Sequence, residues 1–471
     1  MDNSFYELGM VGLGVMGRNL VLNFADHGFP VAGFDKDTTK VSALNSEGEG
    51  KKVKGVNSLN EFISILKKPR VVMMLVPAGA PVDSVINDVL PFLEPGDLII
   101  DGGNSHFTDT NKRFTELGNK KIHFLGIGIS GGEHGARFGP SMMPGGPAEA
   151  YERVRPIFEA ASAKVKGSNC VEYLGPGSAG HYVKMVHNGI EYGLMQLISE
   201  SYDLLKRGLN LSNDELHKIY QSWNEAELQS FLIEITANIF MQPDDKKSGM
   251  LIDKILDKAK QKGTGKWTSQ DAMNLQVPLN TIDAAVAMRD MSAYKPEREN
   301  AAKIFPKTSF SLSGHNTDFI TRLRGALYFS MITTYAQGMA MLLSASKEYN
   351  YNLKLQDVAR IWRGGCIIRA ALLEEITKAF DKSPGLSNLL IDAEISTEIK
   401  KKSNDIRFIT KAAIDLGIPV PAFSASLAYF DSYRSAWLPA NLVQAQRDLF
   451  GAHTYERVDE KGVFHTQWNQ K

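Results

Sequence analysis

The chain has 471 residues, 43% of them hydrophobic, which is long enough for two or three domains with large cores. Its 53 basic residues balance 53 acidic ones, which argues against binding to nucleic acid or to an anionic membrane. No apolar run approaches the roughly 20 residues that span a bilayer, no secretory signal pattern is present, and two cysteines cannot build a disulfide framework. We therefore expect a cytoplasmic protein.

Residues 6–37 have the pattern of a strand, a glycine turn, a helix and a second strand. Gly12, Gly14 and Gly17 have the G-x-G-x-x-G spacing, which makes a tight turn, lets a pyrophosphate approach the backbone and lets the helix pack closely on the strand. The N-terminus of the helix then faces the phosphates. The pattern predicts a dinucleotide-binding site, although the same spacing also occurs in turns that bind nothing.

Later apolar segments predict more strands, separated by stretches long enough for crossover helices: 71–77, 97–104, 122–132 and 170–174. Residues 1–178 are thus expected to form a Rossmann-like α/β domain with a doubly wound, mainly parallel sheet. Ligands of such sheets bind at the carboxyl ends of the strands, where "DGGN" and "ISGG" lie. The amide of Asn104 and the hydroxyl and backbone N–H groups of Ser130, Gly131 and Gly132 suit an anion there, although glycine runs are also ordinary loop geometry.

From residue 179 to 435, long amphipathic patterns predict an all-α domain. Segment 210–223 aligns with 352–365, placing Asn210 on Asn352, and each segment follows an apolar helix. We interpret this as an internal repeat of two helical bundles, which commonly provide a dimer interface. Residues 436–471 have no sustained helical stripe and predict a loosely ordered tail, although its aromatic residues and Arg447 equally suit docking onto a partner.

The helix expected around "KMVHNGIEY" has a polar face that packing does not require. The polar residues of this face lie on one side of the helix at 100° per residue: Lys184, His187, Asn188, Glu191 and Tyr192. The opposite side already carries the apolar residues of a core-facing surface: Val183, Val186, Ile190, Leu194 and Leu197. The polar face is therefore interpreted as a functional surface, and the alternative is a structural buried lysine–glutamate pair.

Several long motifs together resemble one enzyme family over essentially the whole chain: "GLGVMGRNL", "DGGN", "SGGEHGARFGPSMMPGG", "GHYVKMVHNGIEYG", "QKGTGKWTSQ", "GGCIIRA", "IPVPAFS" and "PANLVQAQRDLFGAHTYER". They resemble the long-chain type of decarboxylating 6-phosphogluconate dehydrogenase, a branch of the β-hydroxyacid dehydrogenases. The resemblance implies oxidation of 6-phosphogluconate at C3 and loss of C1 as carbon dioxide, giving ribulose 5-phosphate of the pentose phosphate pathway. The implied cofactor is NADP or NAD, with no metal.

The resemblance also implies roles for single residues. Lys184 would take the C3 hydroxyl proton and later return it to the ketone oxygen, and Glu191 would protonate C1. A free lysine has a pKa near 10.4, so a base needs desolvation or a cationic neighbour to lower its pKa. The other implied substrate contacts are Asn104, Ser130, Gly131 and Gly132 at the carboxylate, His187 and Asn188 at the hydroxyls, and Tyr192, Lys262, Thr264, Arg289, Arg447 and His453 at or near the phosphate.

The implied cofactor residues are Gly12, Leu13, Gly14, Val15, Met16, Gly17, Asp35, Lys36, Asp37, Val76, Pro77, Ala78 and Asn104. Asp35 and Lys36 stand where the family usually has asparagine and arginine. A carboxylate suits a ribose diol and repels a 2′-phosphate, whereas Lys36 attracts that phosphate. Pro77 replaces a lysine usual beside the cofactor, so both NADP and NAD stay open. His134 departs from the family motif and receives no role.

The resemblance further implies a homodimer in which Arg447 and His453, on the tail, complete the site of the partner subunit. Two other functions compete with decarboxylation. A non-decarboxylating β-hydroxyacid dehydrogenase would share the glycine turn and the lysine helix but would not need the phosphate residues or the tail. A catalytically inactive cofactor-binding scaffold would not need Lys184 and Glu191.

Overall fold

A computed structural model describes residues 5–305 and 317–468, so residues 306–316 of the predicted helical domain lie outside the described part. The chain forms two compact units, one ending at Ser426 and one starting at Leu427. The division predicted from sequence, into 1–178, 179–435 and 436–471, remains a prediction.

The first unit begins with a seven-stranded sheet: β1 Leu8–Val11, β2 Val31–Phe34, β3 Val53–Val56, β4 Val71–Met74, β5 Leu98–Asp101, β6 His123–Ser130 and β7 Ser141–Gly145. The strand order is β3-β2-β1-β4-β5-β6-β7. The first six strands are parallel, and β7 pairs antiparallel with β6. The predicted doubly wound, mainly parallel sheet is confirmed.

Seven helices accompany this sheet: α1 Val15–Asp26, α2 Thr38–Glu47, α3 Leu59–Ser64, α4 Ala80–Val89, α5 Phe107–Gly118, α6 Gly132–Phe138 and α7 Ala148–Ala161. Side chains alternate between the two faces of each strand, so Met10 and Met73 belong to one buried core while Val11 and Met74 belong to another. Such double burial explains why the central strands β1 and β4 are mainly apolar.

Three strand assignments differ from the sequence prediction. Residues 170–174 form no strand, and Val171 makes only an isolated bridge to Met142. The structure instead has β3 and β7, both at the edges of the sheet. Their sequences "VKGV" and "SMMPG" contain lysine, glycine or proline, which edge strands tolerate and which weaken the apolar pattern of a strand.

After a short β8–β9 hairpin, Lys164–Val165 with Ser168–Asn169, the described part of residues 179–435 is mainly helical, as predicted. The helices are α8 Ala179–Asp203, α9 Asn213–Asn224, α10 Phe231–Phe240, α11 Thr264–Asn274, α12 Asn280–Ala293, α13 Lys295–Ile304, α14 Thr317–Glu348, α15 Leu355–Ile361, α16 Leu372–Lys382, α17 Ala393–Asp415, α18 Pro421–Tyr433 and α19 Ala440–Gly451. Within the described residues, no helix has the length and hydropathy needed to cross a bilayer. Cys170 and Cys366 are buried and free.

The repeated segments have matching local structure. Asn210 and Asn352, aligned by sequence, both adopt the left-handed conformation, with φ of 55° and 57°. Each precedes a short helix, α9 or α15, and the aligned Tyr220 and Trp362 are both fully buried. The long helices that precede them, α8 and α14, pack against each other. These matches support the predicted internal repeat.

The tail is more ordered than its sequence predicts. Residues 440–451 form α19, and Tyr455 pairs with Phe464 through two backbone hydrogen bonds of 2.8 Å. This segment has no continuous apolar stripe. The buried carboxylate of Asp448 orders it instead. A loosely ordered tail was therefore the wrong expectation.

Candidate active site

Helix α8 lies against β6 and β7 at distances that only glycine permits. A Cβ atom on Gly128 would come within 2.3 Å of the Cβ of Lys184, and one on Gly180 within 2.2 Å of the carbonyl oxygen of Met143. The polar face of α8 is thus pressed against the carboxyl-terminal part of the sheet. Lys184 and His187 are buried there, with exposures of 6% and 0%.

A chain of polar contacts links α8 to the end of β6. Nζ of Lys184 lies 3.4 Å from Nδ1 of His187, and the same ring nitrogen lies 3.1 Å from Oδ1 of Asn188. On the other side of the ring, Nε2 lies 3.3 Å from Oγ of Ser130. Ser130 also accepts a hydrogen bond of 3.4 Å from the backbone N–H of Ile367. Residues that are distant in the sequence therefore meet around one histidine.

Burial shifts the protonation equilibria of three groups on this helix. Desolvation lowers the pKa of Lys184, although the carboxylate of Glu191 partly opposes the shift. Desolvation and the neighbouring Lys184 hold the pKa of His187 well below its usual range. Desolvation raises the pKa of Glu191 against the opposing charges of Lys184 and Arg289. The helix thus presents an amine able to accept a proton and a carboxyl able to donate one.

A cleft of about 860 Å³ opens beside this face. Among the residues predicted for the site, its walls contain Met16, Val76, Pro77, Ala78, Asn104, Asn188, Glu191, Tyr192, Lys262, Thr264 and Arg289. A second cavity of about 340 Å³ shares Leu75, Val76 and Pro77 with it and is also lined by Gly12, Gly14, Asp35 and Lys36. The two cavities connect the glycine turn to α8.

One end of the larger cleft is suited to an anion. The guanidinium carbon of Arg289 lies 3.3 Å from the centre of the Tyr192 ring, which orients both side chains. Lys262 and Thr264 line the same cleft, and Thr264 is the first residue of α11. The N-terminus of this helix therefore adds its backbone dipole to the two cationic side chains.

The glycine turn has the geometry needed for a dinucleotide. Gly12 has φ +94°, and a Cβ on Gly17 would come 1.9 Å from the carbonyl oxygen of Gly12, so neither position admits a side chain. The carboxylate of Asp35 accepts hydrogen bonds from the backbone N–H groups of Leu13, at 2.8 Å, and Asp37, at 2.9 Å. Asp35 therefore holds the turn in addition to facing the cavity.

Cationic side chains beside Asp35 are already paired with carboxylates. Nζ of Lys36 lies 2.9 Å from Asp88, and Nζ of Lys40 lies 3.6 Å from Asp35. Both lysines line the smaller cavity together with these two aspartates. Carboxylate and ammonium groups therefore share the wall of the smaller cavity.

Family models match nearly the whole chain. The NAD binding domain of 6-phosphogluconate dehydrogenase matches residues 7–175, and the C-terminal domain of 6-phosphogluconate dehydrogenase matches residues 180–468. The chain belongs to the 6-phosphogluconate dehydrogenase family. The resemblance of its motifs to this family is confirmed.

Similar members of the 6-phosphogluconate dehydrogenase family align from end to end. The NADP(+)-dependent decarboxylating enzyme of Bacillus subtilis is 51% identical over 463 residues, covering 98% of this chain and 99% of the relative. The decarboxylating enzyme of Lactococcus lactis is 52% identical over 464 residues, covering 98% of each chain. A solved Plasmodium falciparum 6-phosphogluconate dehydrogenase, described in its apo form and with NADP+ or 6-phosphogluconate, is 46% identical, with a TM-score of 0.95 over 98% of this chain and 100% of its own.

Not every residue expected from the 6-phosphogluconate dehydrogenase motifs lines a cavity. Three of them are buried behind the cleft wall: Lys184, His187 and Ser130. His187 contacts Asn188, which lines the cleft. Gly131 directly precedes α6, and Gly132 is the first residue of that helix. Leu13 and Asp37 contribute backbone N–H groups to Asp35, and Val15 is 50% exposed. Arg447 and His453 belong to the second compact unit.

The cleft of this 6-phosphogluconate dehydrogenase family member also contains residues that the sequence reasoning missed: His106, Asp109, Lys260, Gln261 and Trp267. The rings of His106 and Trp267 make an edge-to-face contact with centroids 4.9 Å apart, and burial lowers the pKa of His106. A signal existed for both residues, because His106 follows the strand end at "DGGN" and Trp267 lies inside "QKGTGKWTSQ".

Proposed function

We propose that the protein oxidatively decarboxylates 6-phosphogluconate to ribulose 5-phosphate and carbon dioxide while reducing NADP or NAD. The observation that carries this proposal is the position of Lys184 and Glu191 on one face of α8, where burial lowers the pKa of the lysine and raises that of the glutamic acid. A β-hydroxy acid needs a base for its hydroxyl proton and an acid for the enediol that decarboxylation leaves, and this pair supplies both.

The dinucleotide would be held by the glycine turn, the N-terminus of α1 and the side chains around Asp35. When bound, its nicotinamide accepts the hydride from C3. The relative from Bacillus subtilis is NADP(+)-dependent, and the Plasmodium falciparum structure includes NADP+, which supports NADP. The Asp35 carboxylate supports NAD, and the ratio of kcat/KM for the two dinucleotides measures the preference.

In the proposed reaction, Lys184 accepts the proton of the C3 hydroxyl as the hydride leaves C3. The same amine then donates that proton to the C3 ketone oxygen while the C1–C2 bond breaks and carbon dioxide departs. The electron pair of that bond forms an enediol. The carboxyl of Glu191 then donates a proton to C1 of the product, while the amine of Lys184 takes back the enediol hydroxyl proton and the product ketone forms. Asn104, Ser130, Gly131 and Gly132 would hold the substrate carboxylate, and His187 and Asn188 the hydroxyls.

The substrate phosphate would occupy the cationic end of the cleft, near Tyr192, Lys262, Thr264 and Arg289. A dianion there gains charge-assisted hydrogen bonds from the lysine and arginine. We further propose that the protein acts in the cytoplasm as a homodimer in which Arg447 and His453 reach the phosphate bound by the partner subunit.

The test is an assay of purified protein with 6-phosphogluconate and each dinucleotide, following both reduced nicotinamide and released carbon dioxide. We expect the two products in equal amounts. Reduction without carbon dioxide would instead identify a non-decarboxylating hydroxyacid dehydrogenase, and cofactor binding without either product would identify an inactive scaffold.

A further inference from the structure

The carboxylate of Asp448, next to Arg447 on α19, is completely buried, with an exposure of 0%. Its Oδ1 atom accepts hydrogen bonds from the backbone N–H of Thr454, at 2.9 Å, and from Nδ1 of His465, at 2.8 Å. Its Oδ2 atom accepts from the backbone N–H of Thr466, at 3.0 Å, and from Nε1 of Trp468, at 2.8 Å. A single side chain therefore ties α19 to both the following turn and the end of the described chain.

These donors keep the buried group ionised. Burial alone would raise the pKa of Asp448, but the hydrogen bonds from His465, Thr466, Trp468 and Thr454 lower it overall. A carboxylate accepts up to four such bonds, whereas an amide of the same size has one acceptor oxygen and two N–H donors. The arrangement consequently requires aspartate and not merely a polar side chain of its volume.

The turn held by Asp448 contains two strained residues. Ala452 and Thr454 are non-glycine residues in the left-handed region, with φ of 52° and 63°. Such conformations persist only where surrounding bonds fix them. Thr454 is fixed at both ends, since its N–H donates to Asp448 and its carbonyl oxygen accepts a hydrogen bond of 2.5 Å from Nε2 of Gln444. His453 lies between these two residues.

The same framework includes Arg447. Its Nη1 atom donates a hydrogen bond of 3.1 Å to Oε1 of Gln444, the side chain that also binds Thr454. Arg447 is exposed while Asp448, its neighbour on the helix, is buried, so the cation faces outward from the cluster that the carboxylate holds. The two residues proposed to reach substrate phosphate are thus connected to one buried group.

We propose that Asp448 is a positioning residue for substrate binding: by joining segment 464–468 to the turn at 452–454, it sets Arg447 and His453 in one phosphate-binding array. This inference rests on the proposed role of Arg447 and His453 at the phosphate. It assigns a function to the terminal segment, whose residues need not contact the substrate themselves.

The first experiment compares Asp448→Asn with Asp459→Asn, a matched change at an exposed aspartate that pairs with Arg457 in the same tail. For Asp448→Asn we expect the KM for 6-phosphogluconate to rise about ten-fold or more, while kcat and the KM for the dinucleotide change less than about three-fold. Asp459→Asn should leave all three constants unchanged. Gel filtration of both variants checks that assembly is preserved, because general destabilisation of the tail would alter assembly as well.

A second pair of variants decides the case if Asp448→Asn does not fold. Trp468→Phe removes only the indole N–H donor, and we expect it to raise the same KM about two- to five-fold without changing kcat. The double variant is Arg447→Ala/Asp448→Asn, or Arg447→Ala/Trp468→Phe. Its fold increase in KM should be well below the product of the fold increases in the two single variants, because Asp448 and Trp468 act through Arg447.

An unchanged KM in Asp448→Asn, or in Trp468→Phe if the first variant does not fold, would overturn the inference, and so would fully multiplicative effects in the double variant. Arg447→Ala separates this failure from failure of the proposed function. If Arg447→Ala itself leaves the KM for 6-phosphogluconate unchanged, the phosphate role of the tail is wrong. If it raises KM while Asp448→Asn does not, only the positioning role is wrong.

Discussion

The amine nitrogen of Lys184 lies 3.4 Å from ring nitrogen Nδ1 of His187, one turn further along α8, and both side chains are buried. Desolvation lowers the pKa of each residue, and the lysine lowers that of the histidine further. The histidine therefore stays neutral beside the amine. The close contact between β6 and α8 supplies the desolvation that a lysine base requires.

Replacement of Lys184 by methionine should nearly abolish oxidation. Methionine keeps an unbranched apolar side chain but accepts no proton, and loss of general base assistance typically costs about 10²- to 10⁴-fold in rate. The initial rate of dinucleotide reduction with 6-phosphogluconate measures the loss. Lys218→Met, at an exposed position on α9, is the matched control and should retain normal activity. Near-normal turnover of the Lys184 variant at neutral pH would show that another group is the base.

Glu191→Gln should lower kcat without a comparable rise in the KM for substrate, because the amide keeps the shape of the side chain but donates no proton to C1. Its pH profile should also change. Glu191 raises the pKa of Lys184, so removing the carboxylate lowers that pKa further. Since the base acts unprotonated, the acidic limb of kcat/KM should move to lower pH. A limb that stays in place or moves to higher pH would contradict the proposed coupling.

Asp35→Asn should shift cofactor use towards NADP. Removing one negative charge beside a 2′-phosphate is worth on the order of 1–2 kcal/mol, or about ten- to thirty-fold in the ratio of kcat/KM for NADP to that for NAD. Both carboxylate oxygens accept backbone N–H groups, so the variant should also have a lower melting temperature. A strong preference for NADP in the unmodified protein would refute this reasoning.

Mixed dimers test whether Arg447 serves the partner subunit. Lys184→Ala and Arg447→Ala variants are unfolded and refolded together, and activity is assayed at a 6-phosphogluconate concentration low enough that each variant alone is nearly inactive. If the arginine acts across the interface, a mixed dimer has one site with both defects and one with neither. Random pairing makes about half of the dimers mixed, so roughly a quarter of normal activity should return. If mixed dimers form and no activity returns, the shared site is disproved.

The sequence alone determined the features that depend on local periodicity. The polar face of α8 follows from a repeat of 3.6 residues, and the turn at Gly12 and Gly17 follows from steric rules that act within a few residues. Family motifs then added residues scattered along the chain, such as Arg289 and Arg447. The segments that the sequence misassigned, 170–174 and the tail at 436–468, lack such local determinants. Val171 makes only an isolated bridge to β7, and the tail is ordered around one buried carboxylate.

Only the tertiary structure decided the pKa shifts, ion pairs and contacts of the residues at the candidate site. Burial against β6 lowers the pKa of Lys184, and a charge interaction with Cys366 acts in the opposite direction; both partners are far from the lysine in sequence. Separate segments are likewise joined by the ion pair of Lys36 with Asp88, by the hydrogen bond from the N–H of Leu13 to Asp35 and by the contact of His106 with Trp267. Desolvation and charge pairing act through space over a few ångströms, and the order of residues in a chain does not specify which distant segments come within that range.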